Sequence, residues 1–148
     1  MAGEKRDPAL DQLDALVGEW DVDATHPMLK GVTRGEATFA WLPGRAFLVQ
    51  RSDMPPGDFP SSLSVIGGGT TPGTWPMHYF DSRGVMRVYQ LSAESGLLKM
   101  SRDHPGFSQR ATFTFEDGGR TLRVEGEANE DGEWKPDARF IYRRRAAR

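Results

Sequence analysis

The chain has 148 residues, 19 Lys and Arg against 21 Asp and Glu for a formal net charge of −2, and no cysteine. Its length suits one domain with a single substantial core. The charge balance excludes the strong basic field of a dedicated nucleic-acid binder, and the lack of cysteine excludes disulfides, thiolate nucleophiles and Cys-based metal sites while suiting a reducing compartment.

Met1 to Pro8 is charged and holds no apolar run long enough for a signal peptide or a membrane span. A cytoplasmic protein without a membrane partner is the expectation. Asp7-Pro8 is a helix start, with Asp as N-cap and Pro at the first helical position, where its missing N–H costs nothing. Leu10, Leu13, Leu16 and Val17 then share one face and Gly18 can end the helix, which predicts an amphipathic helix over about residues 8–17.

From Gly18 onward the period is two. Trp20, Val22 and Ala24 alternate with Glu19, Asp21 and Asp23, the pattern of a half-buried strand with its acids outward. A second strand, about Val32 to Leu42, puts Ala37, Phe39 and Trp41 on one face, and Pro43-Gly44 turns it into Arg45 to Arg51. A two-residue turn sets Leu48 and Gln50 beside Phe39 and Trp41, whereas a one-residue slip brings Phe47, Val49 and Arg51 there instead. Two Pro- and Gly-rich loops, Ser52 to Ser62 and Gly67 to Thr74, bracket a short strand from Leu63 to Ile66. The Gly67-Gly68-Gly69-Thr70 run lacks the Gly-Lys-Ser/Thr ending of a phosphate-binding loop.

Trp75 to Tyr89 reads as a β-hairpin around the turn cluster Asp81-Ser82-Arg83-Gly84. With all four residues in the loop, Phe80 faces Val85 and His78 faces Arg87. A second turn at Ala93 to Gly96 then sets Tyr89 opposite Met100 and Arg87 opposite Arg102. A third at Asp103 to Gly106 sets Met100 opposite Gln109, with Ala111, Phe113 and Phe115 on the same face. A fourth at Asp117 to Arg120 brings in Leu122, Val124, Gly126 and Ala128, and one extra residue around Asp131-Gly132 finishes the face with Trp134, Ala138, Phe140 and Tyr142. About ten antiparallel strands in up-and-down order result, and closure would remove both sheet edges. The fold expected is all-β: an up-and-down β-barrel over about residues 18–145 with a short N-terminal helix, a β-sandwich being the alternative.

Leu16-Val-Gly-Glu-Trp-Asp21, His78-Tyr-Phe-Asp-Ser-Arg-Gly84 and the strand order across nearly the whole chain resemble the calycin-like barrels, the broad group of lipocalins, fatty-acid-binding proteins and nitrobindins, and above all uncharacterised bacterial proteins of that type. In calycins the corresponding Trp closes one barrel end under an Arg of the last strand. The resemblance therefore implies a structural pairing of Trp20 with Arg143 or Arg144. Nitrobindins bind heme through a histidine late in the chain and carry a longer glycine-rich first-strand motif. Here His104 is the last histidine and Gly18-x-Trp20 continues as Asp-Val-Asp, so heme is disfavoured.

The expected site is the inward row of His78, Arg87 and Arg102. Arginines directly opposite on an inner face repel unless an anion lies between them, and the guanidinium fork suits carboxylate or phosphate. Gln109 and Tyr142 add neutral hydrogen bonds, while Tyr89, Phe113, Phe80 and Trp41 add apolar walls. This points to a barrel that holds a small apolar molecule with an anionic or carbonyl end. Three alternatives remain: a cavity enzyme of isomerase, cyclase or hydratase type with His78 as general base, a nitrobindin-like heme barrel, and a packed interaction module. His26 and His104 precede prolines at strand ends, and no spacing supplies a metal site. Ser82, His78 and Asp81 are crowded into one hairpin without a nucleophile elbow, which argues against serine hydrolysis. Arg139, Arg143, Arg144, Arg145 and Arg148 read as a solvated strand end and tail. The small-molecule ligand is the partner expected, without nucleic acid, and the chain is compatible with a homodimer.

Overall fold

The computed structural model describes residues 6–146; Met1 to Lys5 of the charged start and Arg148 of the basic tail lie outside them. Ten strands follow the N-terminal helix (Pro8–Leu16): β1 (Gly18–Thr25), β2 (Thr33–Trp41), β3 (Phe47–Asp53), β4 (Ser62–Gly67), β5 (Thr74–Asp81), β6 (Met86–Glu94), β7 (Leu97–Arg102), β8 (Ser108–Glu116), β9 (Thr121–Asn129) and β10 (Trp134–Arg144). Each strand pairs antiparallel with the next, and β10 returns to β1 to close the barrel. Closure leaves no strand with unpaired backbone along an open edge.

The helix plugs one end. Asp7 caps it by accepting from the Ala9 N–H at 2.9 Å, and Pro8 opens it. It is a 3-10 helix, and the reason lies in the spacing of its leucines. Leu10, Leu13 and Leu16 recur every three residues, so three residues per turn stack them in one row, at 3%, 0% and 0% exposure. Val17 falls off that row and is only half-buried. Asp7 also accepts from the Gly73 N–H at 2.8 Å and from Trp75 Nε1 at 3.0 Å. The Gly67 to Thr74 loop is thereby tied to the plugged end, far from the mouth.

Trp20, Leu48, Ile66, Trp75, Leu91 and Leu122 fill the barrel above the helix. Trp20 donates from Nε1 to the Leu16 carbonyl at 2.9 Å, and the Arg144 guanidinium lies 4.1 Å from the centre of its ring. Arg144 also donates to the carbonyls of Val17 and Ala15, so it joins helix, β1 and β10. Arg143, one residue earlier, points outward to Asp23 at 2.7 Å.

Register decides which side chains enter. In the β2–β3 connection the Leu42 N–H still donates to the Phe47 carbonyl at 3.0 Å, which leaves a four-residue turn from Pro43 to Ala46, and Leu48 and Gln50 take the inward positions beside Trp41 and Phe39. The β5–β6 loop is one residue shorter than the count from sequence. Asp81 already pairs with Val85, its N–H reaching that carbonyl at 3.0 Å, and Ser82-Arg83-Gly84 make the turn with Gly84 at φ 83°. Glycine takes that left-handed conformation without the Cβ clash other residues meet. His78 therefore pairs with Val88 and faces outward, and Tyr79 pairs with Arg87 inside.

The next two loops each slip by two residues from the predicted register, which keeps the faces unchanged. Tyr89 extrapolates to Arg102, and Arg102 pairs with Gln109. The β8–β9 pairing, Glu116 with Thr121, forms as counted. In β10 the extra residue sits between Pro136 and Arg139 rather than at Asp131-Gly132. Trp134 accordingly lies on the outer face, 3.9 Å from the Arg110 guanidinium, while Phe140 and Tyr142 stay inside. Gly126 permits this bulge: a Cβ there would come within 2.9 Å of the Ala138 carbonyl.

Candidate functional site

The barrel end away from the helix is open and leads into a cavity of about 390 Å³. This is within the range of small-molecule pockets, so the interior is not filled by side chains as a packed interaction module requires. Its walls are Met77, Tyr89, Met100, Phe113, Val124 and Phe140. Alternation brings these together: each is an inward position on a strand whose neighbours in sequence face solvent.

At the mouth, β6, β7 and β8 bring Arg87, Arg102 and Gln109 to one end of the inner face. Arg87 donates to Gln109 Oε1 at 3.2 Å, and the Tyr89 hydroxyl donates to the same oxygen at 3.0 Å. The Arg87 guanidinium also lies 5.4 Å from the Phe107 ring centre. Arg102 donates to the Phe107 carbonyl at 3.1 Å and does not line the cavity. Among the described residues, neither arginine has a carboxylate within ion-pair distance. Of the acids that line the cavity, Glu127 pairs with Arg110 at 3.0 Å and Asp137 with His26 at 2.9 Å, while Asp58 is in ion-pair contact with neither Arg87 nor Arg102. Asp81, at the mouth turn, pairs with Arg83 at 2.7 Å.

Asp81 is the anchor of the mouth. Burial alone would raise its carboxyl, but bonds from the Arg83 side chain, the Tyr79 hydroxyl and the N–H groups of Arg83 and Val85 outweigh that and hold it far below the usual carboxylate range. The Tyr79 phenol, partly buried and donating to Asp81 at 2.6 Å, is pushed well above its ordinary value. The Ser52 to Ser62 loop is tied to this turn, the Ser61 N–H donating to Ser82 Oγ at 3.1 Å. It carries Phe59 over the entrance, edge-on to Phe140 with ring centres 5.9 Å apart.

The floor is polar. Tyr142 lies above Trp20 and Phe39, ring centres 6.2 and 6.3 Å away, and Gln50 Nε2 donates to its hydroxyl at 3.3 Å. Burial pushes the Tyr142 phenol up to about 12, so it keeps its proton. Ser52 and Ser64, at 7% and 2% exposure, line the same cavity.

Of the residues singled out from sequence, Arg87, Tyr89, Gln109, Phe113 and Tyr142 meet in the cavity. Arg102 shares their face. His78 is exposed on the outside, so the row of His78 with two arginines does not form, and an enzyme using His78 as base has no base in the cavity. Phe80 is likewise outside, 44% exposed. Trp41 stands at the plugged end, its Nε1 donating to Asp14 at 2.8 Å with Arg45 over its ring. Gln50, Ser64 and Phe59 were not anticipated. Gln50 and Ser64 are polar residues at inward positions of strands whose register the sequence left open, and Phe59 is the aromatic residue within a loop of turn formers.

The three histidines are differently employed. His26 lines the mouth, accepts the Met28 N–H at Nδ1 and therefore donates from Nε2 to Asp137 at 2.9 Å. His104 is exposed in the β7–β8 loop, its Nδ1 at 3.0 Å from the Pro105 carbonyl. Neither ring nitrogen of His26 is free, and the other two histidines lie outside the cavity, so these residues do not fit a histidine-ligated heme. Among the described residues, no three His, Asp or Glu side chains converge as a metal site would require.

No known family matches the sequence, and no curated protein matches it. Solved structures do. Rv2717c from M. tuberculosis shares 15% identity over 96% of this chain and 100% of its own, with a TM-score of 0.63. A redesigned β-barrel, b11L5F_LGL, shares 13% identity over 97% and 100%, with a TM-score of 0.51. At such identities the likeness is one of fold, a ten-stranded closed antiparallel barrel. Among the described residues, no helix is long and apolar enough to cross a membrane.

Proposed function

We propose that this barrel, calycin-like in its strand order and in its Trp20–Arg144 closure, binds a small apolar molecule with an anionic end, most simply a carboxylate. The carrying observation is that Arg87 lines a cavity of about 390 Å³ and meets a neutral amide there rather than an acid. A guanidinium held partly out of water without a counter-charge favours an anion that supplies one. Gln109 orients the fork, and the Met and Phe walls receive the apolar body. Carriage or sensing needs no more than this. The heme reading lacks a free histidine nitrogen facing the cavity, and general-base catalysis by His78 lacks its base there.

Titration with 2-naphthoate tests the proposal, with 2-naphthalenemethanol as the uncharged counterpart. Wild-type protein is expected to bind the acid more tightly than the alcohol. Arg87→Met should weaken the acid by about tenfold or more and leave the alcohol nearly unchanged, since a hydrogen bond to a charged group contributes about 1.5–3 kcal/mol. Equal loss for both probes, or no loss for the acid in a variant that melts like wild type, would reject the anion site.

A further inference from the structure

An anion at the mouth leaves the polar floor unexplained. Gln50 and Ser64 are direct partners across β3 and β4, and both line the cavity in a region otherwise walled by Met77, Phe113 and Val124. The bond from Gln50 Nε2 to the Tyr142 oxygen uses the donor of one and an acceptor of the other. What remains is complementary. Gln50 Oε1 is an acceptor, the Tyr142 O–H is a donor, and the Ser64 hydroxyl can serve as either.

An apolar ligand tip lying against these groups would bury them without partners, which is unfavourable. A charged tip would be worse, since no counter-charge lines the floor. A group that both donates and accepts satisfies all three, and the smallest such group is a hydroxyl. Gln50, Ser64, Tyr79 and Arg87 are successive partners across β3 to β6, so Ser64 and Arg87 stand two strand spacings, about 10 Å, apart. Tyr142 packs on Trp20 at the plugged end, whereas Arg87 lies three positions from the Ser82–Gly84 turn at the open end.

Resting on the anion reading above, we infer that the ligand is two-ended: a hydroxylated carboxylate whose hydroxyl lies among Gln50, Ser64 and Tyr142 and whose carboxylate meets Arg87. The cavity's 390 Å³ suits a ligand on the order of thirteen to fifteen non-hydrogen atoms, taking water's share of about 30 Å³ as a guide for each. A flat aromatic or short alkyl spacer of that size fits between the Met and Phe walls. The specificity sits in the floor, because a site that hydrogen-bonds a substrate hydroxyl strongly disfavours the analogue without it.

The experiment compares 6-hydroxy-2-naphthoate with 2-naphthoate by calorimetric titration. The hydroxylated acid is expected to bind wild-type protein about tenfold more tightly or better, a difference of ~1.4 kcal/mol. Tyr142→Phe, which keeps the ring contacts, should abolish that preference, and 2-naphthoate binding should keep its dependence on Arg87. Ser64→Ala and Gln50→Leu give the same readout if Tyr142→Phe does not fold. Equal affinity of the two acids for wild-type protein means that water fills the floor; this overturns the two-ended ligand and spares the anion site. A hydroxyl preference that survives in all three variants overturns it as well. Binding of neither acid overturns both readings.

Discussion

Asp81 shows how one residue can serve the turn, the barrel mouth and the pH response together. Its carboxyl accepts from two backbone N–H groups of its own turn, from the Arg83 guanidinium and from the Tyr79 hydroxyl. With its folded value depressed below the usual 3.8, its contribution is present above about pH 4 and lost as pH falls toward that folded value. Each pH unit in that window removes up to ~1.4 kcal/mol for such a group. Urea unfolding of Asp81→Asn should show a loss of about 2 kcal/mol at neutral pH and a shallower decline between pH 4 and pH 2 than wild type. An acid slope equal to wild type would mean that Asp81 is not a main proton-linked group. Some slope should remain in either case, because Asp7, bonded by the Gly73 and Ala9 N–H groups, and Asp14, bonded by Arg45 and Trp41, are depressed too.

At the scale of elements, the β5–β6 hairpin and the Ser52 to Ser62 loop set what the cavity contains and how it opens. A three-residue turn instead of four exchanges the faces of His78 and Tyr79, and with them a titratable base for a phenol tied to Asp81. Sequence composition could not separate the two turns, since Asp-Ser-Arg-Gly suits a four-residue loop and a three-residue loop ending in a left-handed glycine equally well. The two-residue slips at the following loops were harmless for the opposite reason: an even slip preserves the faces. Phe59 covers the entrance from a loop held by Ser61 at Ser82 and, through its own hydroxyl, at the Met54 N–H. Phe59→Ala should speed both association and dissociation of 2-naphthoate severalfold in stopped-flow fluorescence, with a smaller change in Kd, because it opens the path more than it removes wall. Rates equal to wild type would show that ligands enter without passing Phe59.

For the whole molecule, the barrel divides into two halves along its axis. The helix leucines, Trp20 and Trp75 fill one and make it the source of stability; the other half encloses the cavity, with polar groups at both ends. Phe113 stands on the wall between them, partly buried. Phe113→Trp adds volume where space exists and should leave the melting temperature near wild type while raising the Kd for 2-naphthoate about tenfold or more. If the variant binds as well as wild type, the ligand occupies a different part of the barrel. Glu116–Arg123, Arg110–Glu127 and Arg143–Asp23 pairs lace the outer face of the later strands and of β1, whereas β4 to β6 expose Leu63, Phe80, Met86 and Val88. The outer surface is thus less uniformly polar than the alternation of β8 and β9 suggests.

Period-two alternation, interrupted by Gly and Pro turns, was enough by itself to determine an all-β chain of about ten strands with one apolar face, because one buried face imposes that pattern on every strand. The same logic made Trp20, Leu122, Val124, Phe140 and Tyr142 legible as interior. The tertiary structure alone decided which polar residues share that interior. Loop length differs by single residues that composition does not report, and an odd slip moves a whole strand's side chains through the sheet. His78 was lost to the cavity that way, Trp134 left it when the β10 bulge moved, and Gln50 and Ser64 joined Arg87 only once the β2–β3 register was set and the closing β1–β10 pairing brought Tyr142 across to meet them.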